Sequence, residues 1–153
     1  MSMINFTHLT LQQKEDVLLW RNHPNVRKWM LHSDPITLQE HLLFINTLQN
    51  APTKQYFLIE DYGVIYFSEI DFEQKNAYFG LYANPYSTVT GKGKILMESI
   101  LAYAINHLQL DTLKLEVFAN NFNAIRLYQQ FSFVEIERIH TNNNNLLVMK
   151  HTF

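Results

Sequence analysis

Two rhythms of apolar and polar residues run along this chain, a spacing near 3.6 that marks helices and a strict alternation that marks strands. "SMINFTHL" (2–9) reads as a first strand. Thr10, with Gln13 three residues on, forms a capping box and opens a helix to about Asn22, where "HP" stops it. Thr37 and Glu40 form a second box for a helix through about Gln49. "QYFLIED" (55–61) and "GVIYFSEIDF" (63–72) read as strands joined by a tight turn. "NAYFGLYAN" (76–84) is another strand, ended by Pro85. Met97, Ile100, Leu101, Ala104, Ile105 and Leu108 give a helix over roughly 92–108 its apolar face. In "TLKLEVF" (112–118), Leu113, Leu115 and Val117 face one way and Lys114, Glu116 and Phe118 the other. A short helix from about Asn121 carries Ala124, Leu127, Tyr128 and Phe131 on one side. "FVEIERIH" (133–140) and "NLLVMKH" (145–151) close the chain as strands, with "TNNNN" (141–145) as the turn between them. The order β α α β β β α β α β β predicts an α/β (α+β) fold, a mixed sheet with helices on both faces.

Composition narrows the class. The 153 residues match one ordinary domain, expected to span 1–153, and 47% hydrophobic with 17% charged argues against disorder. A net charge of −2 provides no basic field for nucleic acid. With no cysteine, disulfides, thiolate metal sites and Cys nucleophiles are excluded. His23, His32 and His41 lack i, i+4 partners, so no metal is expected. No apolar run is long enough to span a membrane. The opening "MSMINFTHLT" has neither a basic stretch nor an apolar run, so no signal peptide is expected and the protein is read as cytoplasmic.

One stretch asks for an explanation. The chain has four glycines, and Gly91 and Gly93 stand at the mouth of the 92–108 helix, alternating with Lys92 and Lys94. Backbone N–H groups at a helix start, helped by the dipole and two lysines, form an anion site suited to phosphate. The spacing is neither a Walker loop nor a dinucleotide fingerprint. A flexible turn with solvated lysines explains the same residues.

The surroundings of this loop decide between these readings. The order strand, glycine loop, long helix, strand and "NNFNAIRLYQQFSF" resembles the GNAT family of N-acetyltransferases. That family's signature places [QR]-x-x-G-x-[GA] at a helix start and N-x-x-A-x-x-x-Y about thirty residues later. Gly91 and Gly93 match the small positions, and Asn121, Ala124 and Tyr128 match the second element. Thr88 stands where Gln or Arg is usual, and Ser132 replaces a common glycine. "RNHP", "WM", "FGLY" and "LEVFANNFNAI" further resemble the N-acetyltransferases of pseudaminic acid biosynthesis, over nearly the whole chain. The resemblance implies the GNAT fold, a mixed, mostly antiparallel sheet of about seven strands flanked by about four helices. It implies acetyl-CoA as cosubstrate, and as acceptor the 4-amino group of a UDP-linked 4-amino-4,6-dideoxy sugar on the way to a flagellin-decorating sugar acid.

The resemblance also assigns residues. Thr88, Gly91, Lys92, Gly93 and Lys94 would hold the pyrophosphate, and Leu81, Tyr82 and Ala83 would pair with the pantetheine arm. Asn121 would bond that arm, act as a plain helix cap, or do both. Tyr128 is the candidate general acid, with a core tyrosine as the alternative. Glu116, on the polar side of its strand, is the candidate base, and His41 a second one unless it is simply packed. Arg21 would meet a diphosphate unless it ties "WRN" to backbone carbonyls. Trp29, Met30 and His32 would wall the acceptor site, and Tyr66 and Tyr78 would reach the acceptor. A ribosomal-protein or peptide acetyltransferase of the same fold and a non-catalytic acyl-CoA-binding module are the competing readings. The closing strands offer a way to pair two copies in a homodimer.

Overall fold

The computed structural model describes residues 2–141 and 143–153; of the turn expected at 141–145, Asn142 lies outside the described residues. Strands β1 (Met3–Asn5), β2 (Gln55–Ile59), β3 (Gly63–Asp71), β4 (Asn76–Ala83), β5 (Thr112–Phe118), β6 (Val134–His140) and β7 (Asn145–Thr152) form one seven-stranded sheet in the order β1-β2-β3-β4-β5-β7-β6. Every neighbouring pair is antiparallel except β4 and β5, which run parallel. The mixed, mostly antiparallel sheet meets the expectation.

Helices cover both faces. On one face lie α1 (Leu11–Asn22), α2 (Pro24–Arg27) and α3 (Leu38–Thr47). Their Val17, Trp20 and Ile45 bury against Leu58, Val64 and Tyr82 of the sheet. On the other face, α4 (Lys92–Asn106) and α5 (Phe122–Gln130) pack over Ile65, Phe67, Leu113 and Leu115. In α4 the buried stripe is Leu96, Met97, Ile100 and Ala104; Ile105, expected on it, is exposed. Each such large side chain contributes about 1.5–3 kcal/mol on burial. Packing therefore holds α4, because its N-cap Gly91 provides no side-chain bond.

Three local expectations change. The first strand stops at Asn5, whose side chain caps a 3-10 turn over Phe6–His8. "HP" ends α1 but also begins α2, with His23 as cap and Pro24 at the first helical position, so five helices flank the sheet rather than about four. The Thr10 box forms fully. The second is half made: Glu40 donates its N–H to Thr37, and its carboxylate takes the Thr37 hydroxyl instead of the backbone N–H.

Helix α5 ends in a Schellman motif. The Phe133 N–H bonds the Tyr128 carbonyl and the Ser132 N–H bonds the Gln129 carbonyl, with the Tyr128 and Phe133 rings in edge contact. The motif needs a left-handed residue at 132, and Ser132 takes φ 67. That conformation costs a non-glycine residue about 1–2 kcal/mol, part of which glycine returns through its freedom in the unfolded chain. Ser132→Gly should therefore stabilise the protein by about 0.5–1 kcal/mol and raise Tm by about 1–4 °C in calorimetry, and an unchanged or lower Tm would contradict this.

Candidate active site

Parallel β4 and β5 pair only over Asn76–Tyr78 with Thr112–Lys114. Beyond that point each strand stays with its outer neighbour. β4 continues along β3 as far as Ala83, and β5 along β7 as far as Phe118. Two tethers hold the strands apart. Buried Asn84 donates its side-chain amide to the Asp61 carbonyl and its backbone N–H to Tyr62, pinning the end of β4 to the β2–β3 turn. The Ala119 N–H bonds Asn145, which holds the end of β5 on β7. A cleft of about 520 Å³ occupies the gap. A hollow of similar size, about 570 Å³, lies by Asn5, Gln49, Lys54 and Gln55 but brings no acid–base pair together.

The gap passes through the sheet, so residues enter it from both faces. Tyr128 belongs to the α4–α5 core, with its ring against Phe79 at 6.0 Å. Leu115 and Val117 point into that same core, so Glu116 between them points to the opposite face. Tyr66 comes from the α1–α3 side. Tyr128, Glu116 and Tyr66 all line the cleft. Of the other residues singled out in the sequence, Trp29, Met30, Leu81, Tyr82, Ala83, Lys92 and Asn121 line it too. Asn121 caps α5 through its side-chain oxygen, at 3.4 Å from the Ala124 nitrogen, while facing the cleft.

At the rim, Gly91 takes φ 76 in open space, a turn that glycine makes without strain. Gly93 lets α4 approach α5: a methyl there would meet the Leu127 side chain at 3.0 Å. Lys92 donates to the Ser87 carbonyl at 2.5 Å and draws the loop against the helix start. Thr88 and Lys94 are exposed on this loop and the first turn, outside the cleft lining.

Four further candidates stand outside the cleft lining, and for His41 and Arg21 the structure shows the alternative that the sequence left open. His41 is buried between α1 and α3, with its Nε2 at 2.8 Å from the Lys14 carbonyl, and burial pushes its pKa down; it packs helices and does not reach the cleft. Arg21 spends its guanidinium on the carbonyls of His32 at 2.6 Å and Asp34 at 3.3 Å, so it ties the 28–34 loop to α1. His32 contributes that carbonyl, and its exposed ring is not part of the wall. Tyr78 sits at the last paired step opposite Lys114, whose ammonium lies 6.0 Å over the ring, at the closed end of the gap.

Electrostatics separate the two sides. Burial raises the Tyr128 phenol well above the usual tyrosine range, with the Tyr66 phenol adding to it. Partial burial raises the Glu116 carboxyl, and Glu69 and Glu137 raise it further. Glu137 and Glu116 both stand opposite Val148, one on each side of β7, which puts them in one row across the sheet. Tyr128 thus stays protonated as a donor, and Glu116 is made more basic.

Phe79, Gly80, Val117, Asn84 and Leu127 also belong to the cleft or its frame and escape a reading of the chain. Only Gly80 carries a signal, as an isolated glycine inside a strand, which marks a close approach. Among the described residues no cluster of three or more His, Asp or Glu could hold a metal ion, and no helix is long and apolar enough to cross a membrane.

Comparison with known proteins agrees with this geometry. Residues 17–133 match the acetyltransferase (GNAT) family. Acetyltransferase PseH of Campylobacter jejuni (serotype O:23/36, strain 81-176) is 41% identical over 133 residues, covering 84% of this chain and 82% of that protein. The crystal structure of Campylobacter jejuni N-acetyltransferase PseH in complex with acetyl coenzyme A superposes with a TM-score of 0.78 at 33% identity, over 99% of this chain and 97% of that one. Spermidine N-acetyltransferase from Vibrio cholerae, in complex with CoA and spermine, reaches a TM-score of 0.85 at 19% identity, over 99% of this chain and 94% of that one, a likeness of fold alone. Its matched family model, its relatives and its parted sheet place this chain in the GNAT family of acetyl-CoA-dependent N-acetyltransferases.

Proposed function

We propose that this enzyme moves acetyl from acetyl-CoA to the 4-amino group of a UDP-linked 4-amino-4,6-dideoxy sugar, as in pseudaminic acid biosynthesis. The observation that carries the reading is the through-sheet cleft, bordered by Glu116 on one face and Tyr128 on the other. The likeness to PseH, solved with acetyl coenzyme A, supports the cosubstrate, and the resemblance carried by "RNHP", "WM", "FGLY" and "LEVFANNFNAI" supports the acceptor class.

In this account acetyl-CoA lies in the gap. Its pantetheine runs along Leu81, Tyr82, Ala83 and Asn121, and its pyrophosphate rests on the first turn of α4 with Lys92. That turn presents backbone N–H groups that no side chain caps. The acceptor enters from the α2 side, past Trp29 and Met30. Glu116 takes a proton from its amine, directly or through water, and the nitrogen attacks the thioester carbon. The C–S bond breaks and the thiolate leaves towards Tyr128. A thiol near 8.5 facing a phenol near 10 makes complete proton transfer uphill by about 2 kcal/mol. Burial raises the phenol and enlarges that cost. Tyr128 therefore serves chiefly as a hydrogen-bond donor to the developing thiolate, and a shared proton does not carry the full cost.

The carboxylates Glu69 and Glu137 beside Glu116 favour a second reading, acetylation of a cationic peptide amine, which such a wall also suits. CoA release should be measured with a UDP-4-amino-4,6-dideoxy sugar, its C4 epimer and basic peptides. The amino sugar is expected to turn over best. Tyr128→Phe should lower kcat at least about 10-fold while leaving acetyl-CoA binding intact. Peptide turnover without sugar turnover would move the assignment to the second reading.

The pH profile tests the base. Glu116 works ionised, so kcat/KM falls as pH drops through its raised pKa. Glu137→Gln removes one of the charges that raise it. The acid limb should then move to lower pH while the plateau stays within about twofold. An unmoved limb would sever Glu137 from the base.

A further inference from the structure

The Tyr66 phenol, expected to reach the acceptor, has no part in the proton transfers above, and an aromatic stack backs it. Its ring stacks on Tyr56 with centroids 4.7 Å apart and planes 8° from parallel. Tyr56 is in turn wedged by Phe6 at 5.5 Å and Phe44 at 5.0 Å. On β4 the residue opposite Tyr66 is Gly80. A methyl at position 80 would overlap the Tyr66 hydroxyl, so the phenol lies directly across the Gly80 backbone. Gly80 falls in the stretch of β4 that has left β5, and both residues line the cleft. The hydroxyl makes no hydrogen bond to any described residue. Burial keeps it protonated, and it senses the charges of Arg21 and Glu116. A rigid, protonated, unpartnered donor thus opens onto the reacting centre.

Acetyl transfer changes the charge of three atoms. The amine nitrogen loses a proton and needs an acceptor, which Glu116 provides. The sulfur leaves as an anion and needs a donor, which Tyr128 provides from the α5 face. As the C–N bond forms, the carbonyl oxygen takes the π electrons and carries negative charge until the C–S bond breaks. This atom needs a donor as well. We propose that the Tyr66 hydroxyl, held across Gly80, donates a hydrogen bond to the acetyl carbonyl oxygen and stabilises the oxyanion. The assignment rests on the acetyl-transfer reading but not on the identity of the acceptor. It also explains the glycine at 80, since any side chain there would push the donor away.

Isotope-edited infrared spectroscopy of acetyl-CoA labelled with ¹³C at the acetyl carbonyl, bound to the whole protein, reads this bond without an acceptor. The C=O band of the wild-type complex should lie at lower wavenumber than that of Tyr66→Phe, while Tyr128→Phe keeps the wild-type band. Gly80→Ala should reproduce the Tyr66→Phe band through displacement of the hydroxyl. With the best acceptor, Tyr66→Phe should lose about 100-fold in kcat, the usual cost of one oxyanion donor, with KM for acetyl-CoA within about threefold and Tm unchanged because the stacked ring stays. An identical band and kcat in Tyr66→Phe and wild type, with acetyl-CoA bound to both, would overturn the Tyr66 assignment alone. Failure of the wild type to bind acetyl-CoA would overturn it together with the acetyl-transfer reading.

Discussion

The parting of two parallel strands beyond Tyr78 and Lys114 is the constraint on which the rest of this structure depends. A continuous sheet would satisfy the backbone groups of Phe79–Ala83 and Leu115–Phe118 on both sides. Here each strand pairs on one side only, held there by the Asn84 clamp and by β7. Buried backbone polar groups left unpaired are costly, at about 1–3 kcal/mol each. The opening therefore persists because something polar, water or an extended ligand, meets those groups. A pantetheine arm, with its two amides, is such a ligand.

The same opening joins the two faces of the sheet. A sheet normally keeps a helix on one face from touching a strand residue that points to the other. Through the gap, Tyr128 from α5 and Glu116 from the far side of β5 border one space, joined by Tyr66. Donor and acceptor substrates can then approach from opposite sides and meet in the middle. The Schellman motif after Tyr128 and the aromatic stack behind Tyr66 fix where those phenols point. In the proposed reaction, donors fixed in this way would cost no reorganisation.

What could be read in the chain was what short-range chemistry dictates. The Thr10 capping box and the Asn121 cap each depend on residues within one turn, and each forms. Strand alternation put Glu116 on the face away from the core. Where the residues left two roles open, partners far along the chain decide between them. His41 could serve as a base or simply pack, and nothing near it in the chain announces the Lys14 carbonyl 27 residues away. Arg21 is occupied by carbonyls 11 and 13 residues on. Gly80 gains its meaning only once β3 lies beside β4 and sets Tyr66 opposite it. Ser132, by contrast, was visible as a departure from a glycine position, and the strain it carries is the physical content of that departure.

Hydrogen–deuterium exchange with and without acetyl-CoA tests most directly that the parted strands hold the acyl donor. Slowed exchange is expected at amides 79–83 and at the first turn of α4, with little change along β2 or in α1. Protection centred on Asn5, Gln49 and Gln55, with amides 79–83 unchanged, would place the ligand in the other hollow and contradict the account.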